Sequence, residues 1–222
     1  MLIACLSDEI DSIFKRIKTI NHMKSSYCKL TCQSKNNFKK IGLMTSILAL
    51  FLSTSSLQAQ LEIKAPEGYS RDIGQMVSML DNLKKRLERY VSLLDQEGTD
   101  FLLDENANSP GAMIYHLAAT EAYYQVYTFE GRSFNEEEKQ EWGTALNLGD
   151  KARAEFKGKP IRYYLDIYDQ VRAKTKELLK TKDDHWFKEM NGGVSNHWAW
   201  FHVMEHQANH MGQLAIVTKR IP

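Results

Sequence analysis

Three histidines, His202, His206 and His210, follow one another at steps of four residues in the last apolar-periodic stretch of this chain. Residues four apart on a helix share a face, with Cβ atoms about 5–6 Å apart. Two imidazoles so placed can hold one divalent ion at about 2.0–2.1 Å. All three cannot. His202 and His210 would lie about 12 Å apart along a helix axis that rises about 1.5 Å per residue. An ion therefore takes His202 with His206, or His206 with His210. An open catalytic site usually has three protein ligands, so a third must come from elsewhere. His116 is the strongest candidate, because it sits mid-stretch among Met113, Leu117 and Tyr124, where a polar ring in a core needs a partner. The alternative is that these histidines are half-buried and satisfied by hydrogen bonds, which suits any single one better than the set.

A second chemistry would use some of the same residues. His202-Val203-Met204-Glu205-His206 fits the H-x-x-E-H order of inverted zinc peptidases, with the Glu as general base. Such a site needs a further ligand, normally a downstream carboxylate, and no Asp or Glu follows Glu205. It also leaves His116 and His210 without a role.

Four helices must position these side chains. The first is expected from about Ser70 to Leu94, with Ile73, Met76, Val77, Leu80, Leu83, Leu87, Val91 and Leu94 at three- and four-residue steps. The second opens at Ser109-Pro110, a cap residue followed by proline at the first helical position, and ends at Gly131. The third runs from Pro160 to about Lys180, and the fourth from Asn196, read as its cap, to about Lys219. No alternating β-rich run of useful length is present. The expected fold is all-α, a four-helix bundle. Helices two and three are separated by some thirty residues, too long for a tight antiparallel turn, so a long crossover is implied. Within it, Asn135 before Glu136-Glu137-Glu138 marks a short helix. Asp183 to Gly193 reads as an ordered loop.

Charge divides the chain in two. Residues 1–59 carry eight Lys and Arg against three Asp and Glu, and residues 60–222 carry 21 against 25, a net of −4. A mildly acidic domain has no electrostatic footprint for nucleic acid. Lys35, Lys39 and Lys40, the apolar run Ile41 to Leu52, and small residues to Ala59 have the order of a secretory signal peptide cleaved after Ala59. The expected division is thus 1–59 as N-terminal extension and signal peptide, and 60–222 as the folded domain, exported to the periplasm or secreted. The apolar run is about a dozen residues where a spanning helix needs about twenty, so no stable membrane anchor is expected after processing. Signal peptides rarely start forty residues in, which makes Met23 a candidate initiator. Cys5, Cys28 and Cys32 all precede Ala59, so the domain has neither disulfides nor a thiol nucleophile of its own.

The histidine constellation resembles the DinB-like superfamily of metal-binding four-helix bundles over residues 68–222. Two motifs carry the resemblance: Tyr115-His116-Leu117-Ala118-Ala119-Thr120-Glu121, and Glu205-His206-Gln207-Ala208-Asn209-His210-Met211-Gly212-Gln213. It implies that His116, His206 and His210 are metal ligands, commonly for zinc or nickel, and it implies the long crossover. Met211 stands where an arginine is common in such proteins, so a substrate contact that depends on that arginine does not carry over by resemblance. The resemblance implies a metal-dependent transferase or hydrolase acting on a small molecule, in some relatives with a thiol cosubstrate. An oxidising compartment works against such a cosubstrate. The alternative from another class is a non-catalytic or stress-associated module braced by its ion. A homodimer is expected by resemblance alone. Of the remaining residues, Glu121 is expected in a salt bridge inside the bundle, Gln213 near the site, and Gly212 at a close helix approach. Trp186, Trp198, Trp200 and Phe201 are expected in core or rim packing.

Overall fold

The computed structural model describes residues 62–222, so the signal-peptide reading and the three cysteines lie outside the described residues. Eight helices and one short hairpin follow in order: α1 (Arg71–Val91), α2 (Gln96–Asp100), α3 (Pro110–Glu130), α4 (Glu136–Asn147), α5 (Gly149–Glu155), α6 (Ile161–Lys180), α7 (Asp184–Lys188), β1 (Met190–Asn191), β2 (Val194–Ser195) and α8 (Asn196–Val217). The long helices α1, α3, α6 and α8 form the bundle, and its helix boundaries follow local chemistry. Ser109 accepts from the Ala112 N–H with Pro110 behind it, and Gly131 closes α3 at φ +66°. Asn135 and Glu138 exchange side-chain bonds with each other's backbone N–H, a complete capping box at the start of α4.

Contacts along the helices give their directions. From α3 to α6, Glu121 meets Arg172 and Gln125 meets Thr175, while Gly111 lies against Tyr164, so both indices rise together and the helices are parallel. From α3 to α8, His116 meets His206 and Tyr124 meets His202, so the indices run oppositely. Asp81 and Lys84 of α1 pair with Arg172, Lys176 and Asp169 of α6, again antiparallel. Parallel neighbours cannot be joined by a tight turn, and this is why α4 and α5 carry the chain back between α3 and α6.

α3 is the centre of the bundle. Its buried residues cover almost every face, from Ala112 to Thr128, because it packs on α6, α8, α4 and α2. It is therefore not an amphipathic helix like α1 and α6, and polar residues along most of its length, His116, Thr120, Glu121 and Gln125 among them, are buried. The core falls into two clusters. One lies around Leu117, Tyr164, Tyr168 and Leu214, and the other around Ile73, Leu80, Phe187 and Trp200.

Several expectations are corrected. The cap of α8 is Ser195, whose hydroxyl accepts from the Trp198 N–H, while buried Asn196 donates to the Trp186 carbonyl. The ordered loop holds α7 and a two-residue antiparallel hairpin. α1 ends at Val91, leaving Leu93 almost fully exposed. α2 was not foreseen, although Asp95 caps it by accepting from the Gly98 N–H at 2.8 Å. Gly212 is not a helix-approach point, since a Cβ there meets nothing within 4 Å. Gly111 fills that role, with a Cβ position only 2.6 Å from the Tyr164 ring. Among the described residues, no helix is long and apolar enough to cross a membrane.

Candidate metal centre

His116, His206 and His210 come together between α3 and α8. Their ring nitrogens lie within 4.8 Å of one another, and among the described residues this is the one such group of three potential ligands. Nε2 of His206 lies 3.1 Å from Nε2 of His116 and 2.9 Å from Nε2 of His210. The outer nitrogens fix which lone pairs face inward. His116 donates Nδ1–H to the Ala145 carbonyl at 2.9 Å, and His210 donates Nδ1–H to Gln213 Oε1 at 2.9 Å. A carbonyl oxygen only accepts, so in the neutral rings both Nε2 atoms are bare acceptors directed at His206.

The third ring cannot satisfy them. His206 Nε2 carries at most one proton, so it can serve one neighbour and not both. Its Nδ1 is buried with no partner. Three convergent imidazole nitrogens with two outer N–H groups tied off is an arrangement that suits a first-row divalent ion. Tetrahedral bonds of about 2.0–2.1 Å place ligand nitrogens about 3.3 Å apart, so the two contacts to His206 must open by a few tenths of an ångström, while the third pair, His116 with His210, lies within 4.8 Å. The donor set fits a divalent metal ion.

Electrostatics favours the ligand form as well. Burial, followed by His210, His116 and His202, pushes His206 down to about 3. Burial and His116 push His210 down to about 4. Burial also lowers His116, against the opposing pull of the Ala145 and Leu146 backbone. All three rings are therefore neutral near pH 7, which is the state that binds metal.

The Ala145 carbonyl had no signal in the sequence, because it is a backbone atom brought in by the crossover. It is one of the carbonyls that the end of α4 leaves without an intrahelical partner. α4 stops there because Leu148 holds φ +54° and ψ −148°, close to a region reserved almost entirely for glycine and costing about 1–3 kcal/mol.

His202 is not brought into the cluster. Its ring is stacked between Trp198 and His206, at centroid distances of 5.3 and 5.7 Å, and its Nδ1 lies 3.2 Å from Glu205. Glu205 also accepts from Asn209, so the H-x-x-E-H residues do not converge on a shared point with a third ligand. Trp200 is fully buried, Trp186 stacks on Phe129, and Trp198 and Phe201 are half exposed at the rim.

Beneath the site lies a buried polar network. Arg172 donates Nε and Nη2 to the two oxygens of Glu121, each at 2.7 Å, and Nη2 also reaches Gln207 Oε1 at 3.2 Å. Thr175 donates to Glu121 at 2.6 Å and receives a bond from Gln125. Gln207 neighbours His206 in sequence, so this network fixes α8 against α3 and α6 close to the histidines.

The family model for mycothiol-S-transferase matches residues 75–221, a stretch that contains all three histidines and both motifs around them. The chain belongs to the mycothiol-S-transferase family. That family is a member of the DinB-like superfamily, and the all-α bundle agrees with it. Among solved structures, the chain is similar to an uncharacterised protein from Escherichia coli UTI89, at 14% identity and a TM-score of 0.51, covering 67% of this chain and 93% of that one. That likeness concerns the fold alone. No curated protein matches the chain. Membership of the mycothiol-S-transferase family, taken with the three-histidine group, supports metal-dependent transferase or hydrolase chemistry.

Proposed function

We propose that the chain is a metal-dependent transferase in which the Nε2 atoms of His116, His206 and His210 hold zinc or nickel and a small-molecule thiol is the cosubstrate. The observation that carries this reading is the convergence of three Nε2 atoms with the Nδ1–H groups of His116 and His210 already committed outward. The thiol comes from the family's name, and the chemical logic agrees with it. Bound there, the ion would act as a Lewis acid and lower the pKa of a thiol or water at its open position. The chain's own residues keep three imidazoles neutral, hold two of them in the Nδ1–H tautomer, and supply no thiol nucleophile from residues 60–222. A thiol nucleophile must therefore arrive as substrate. Export is a separate proposal, supported only by the basic, apolar and small-residue order of residues 35–59, and an oxidising compartment would work against the thiol cosubstrate.

The test is elemental analysis of the purified chain, with His116→Ala, His206→Ala, His210→Ala and His202→Ala beside it, followed by thiol-transfer assays. One equivalent of metal, lost in the first three variants and retained in the fourth, is the expected result. Full metal content in the His116 or His210 variant would sink the three-ligand site. A non-catalytic metal-braced module predicts a different outcome, in which metal removal lowers stability and no thiol or ester substrate turns over.

A further inference from the structure

One helical turn from the three histidines, the groove between α3 and α8 opens into a cavity of about 270 Å³. Leu103, Ala107, Met113, Gln213, Ile216 and Val217 form its walls. Met113 precedes His116 by three residues and Val217 follows His210 by seven, so both lie on the ligand-bearing faces of their helices. Gln213 stands between the cavity and the centre: its Oε1 accepts from the outward-facing Nδ1–H of His210 at 2.9 Å while the same side chain lines the cavity.

The chemistry of the cavity is apolar. No charged residue lines it, and its polar residues are Asn108 and Gln213. Leu103 and Ile216 leave 43% and 57% of their surface in water at its edge. An apolar recess bounded by a few polar groups, next to a candidate reaction centre, is how small-molecule sites are commonly built. The cavities between α3, α4 and α6 differ. Both carry Glu141 and Lys174, and neither includes a residue hydrogen-bonded to the three histidines.

We infer that this cavity receives the hydrocarbon substituent of the substrate whose reacting atom is held at the three-histidine centre. The substrate class is a small molecule with an alkyl or aryl group close to a metal-seeking sulfur or oxygen. The inference rests on the metal-centre reading above, and it adds a specificity site made by Met113, Ile216 and Val217 on one side and the loop before α3 on the other.

The full chain loaded with cobalt(II) provides the test, because a sulfur-to-cobalt absorption band reports sulfur at the centre. Ethanethiol, butane-1-thiol and hexane-1-thiol are titrated, with the Met113 methyl group followed by NMR in methyl-labelled protein. Each added methylene that enters the cavity should lower Kd about fourfold, and hexane-1-thiol should shift the Met113 signal where ethanethiol does not. Ala107→Phe, which fills the cavity, should remove the dependence on chain length. Ile216→Trp, at an exposed position on α8, gives a second filling variant if circular dichroism shows that Ala107→Phe has not folded. A cobalt band with affinity independent of chain length and an unmoved Met113 signal overturns the inference and leaves the metal centre standing. Failure to bind cobalt, or a Met113 shift without any cobalt band, overturns the metal reading and the inference with it.

Discussion

Glu121 and Arg172 are the sharpest point at which to perturb the scaffold without touching the histidines. The carboxylate of Glu121 is fully buried, and Arg172 is 4% exposed. Burial works against the guanidinium charge, and Glu121 reverses that effect, leaving the Arg172 pKa raised above its ordinary value. Glu121→Gln keeps the shape and removes the charge. Arg172 is then left with Asp81, at 3.5 Å and partly exposed, as its acidic partner. Breaking a buried pair by removing one partner costs about 3–5 kcal/mol, a large part of the roughly 5–15 kcal/mol that holds a typical domain together.

With a urea m-value of about 2 kcal/mol per molar, the denaturation midpoint should fall by about 2 M. The assay is urea unfolding followed by circular dichroism, run beside the double variant Glu121→Leu/Arg172→Met. Replacing the whole pair by apolar residues should recover stability to within about 1 kcal/mol, because the desolvation cost disappears with the charges. Metal content per folded molecule should stay unchanged in both variants, since neither residue touches a ligand nitrogen. A loss under about 1 kcal/mol in Glu121→Gln, or no recovery in the double variant, would refute the claim that the pair is a desolvated, mutually dependent unit.

Other outcomes follow from the same geometry. Gly111→Ala should destabilise by about 1–3 kcal/mol in urea unfolding, because its Cβ has no room beside the buried Tyr164 ring. Gly212→Ala should stabilise by about 0.5–1 kcal/mol, since its Cβ meets open space within a helix. Gln213→Ala frees the Nδ1–H of His210 and should weaken metal binding about 10–100-fold in a chelator competition. Stability of the metal-free chain should fall as pH drops below 6.5. There the unfolded histidines take up protons while His206 and His210, pushed down to about 3 and about 4, stay neutral. A thermal melt that is flat from pH 7 to 5 would contradict those depressed values. Metal binding at pH 7 should release almost no protons from these rings, which a pH-indicator titration can check.

Part of this was legible because it is local. Ser109-Pro110, Gly131 and the Asn135–Glu138 box act within one turn of the chain, so residue type alone predicts them. The crossover was legible from length, and contacts such as Glu121 to Arg172 and Gln125 to Thr175 supply its reason in parallel packing. α2, α5 and the hairpin Met190–Ser195 were not foreseen. They are too short to show a period, and tertiary contacts hold them. The partner of Glu121 lies 51 residues away, and nothing in either residue's neighbours encodes the meeting. Gly212 differs from its expected role for a related reason: a glycine in a helix marks a close approach only where a neighbour is present, and the sequence does not name the neighbour.

The choice between His202 and His210 shows where such reasoning stops. Periodicity fixes the phase of each side chain around its own helix, and axial rise forbids one ion from reaching both ends of the ladder. Neither quantity fixes the sliding position of one helix against another. That register comes from packing along the antiparallel α3–α8 groove, where Met113 lies toward Val217 and Tyr124 lies toward His202. Between those two places His116 falls opposite His206 and His210, and His202 is left beside Tyr124 and Trp198. A slip of one helical turn, about 5.4 Å, would have selected the other pair. The large and small side chains that lock the groove therefore decide which histidines share the centre, and the four-residue spacing only sets the options.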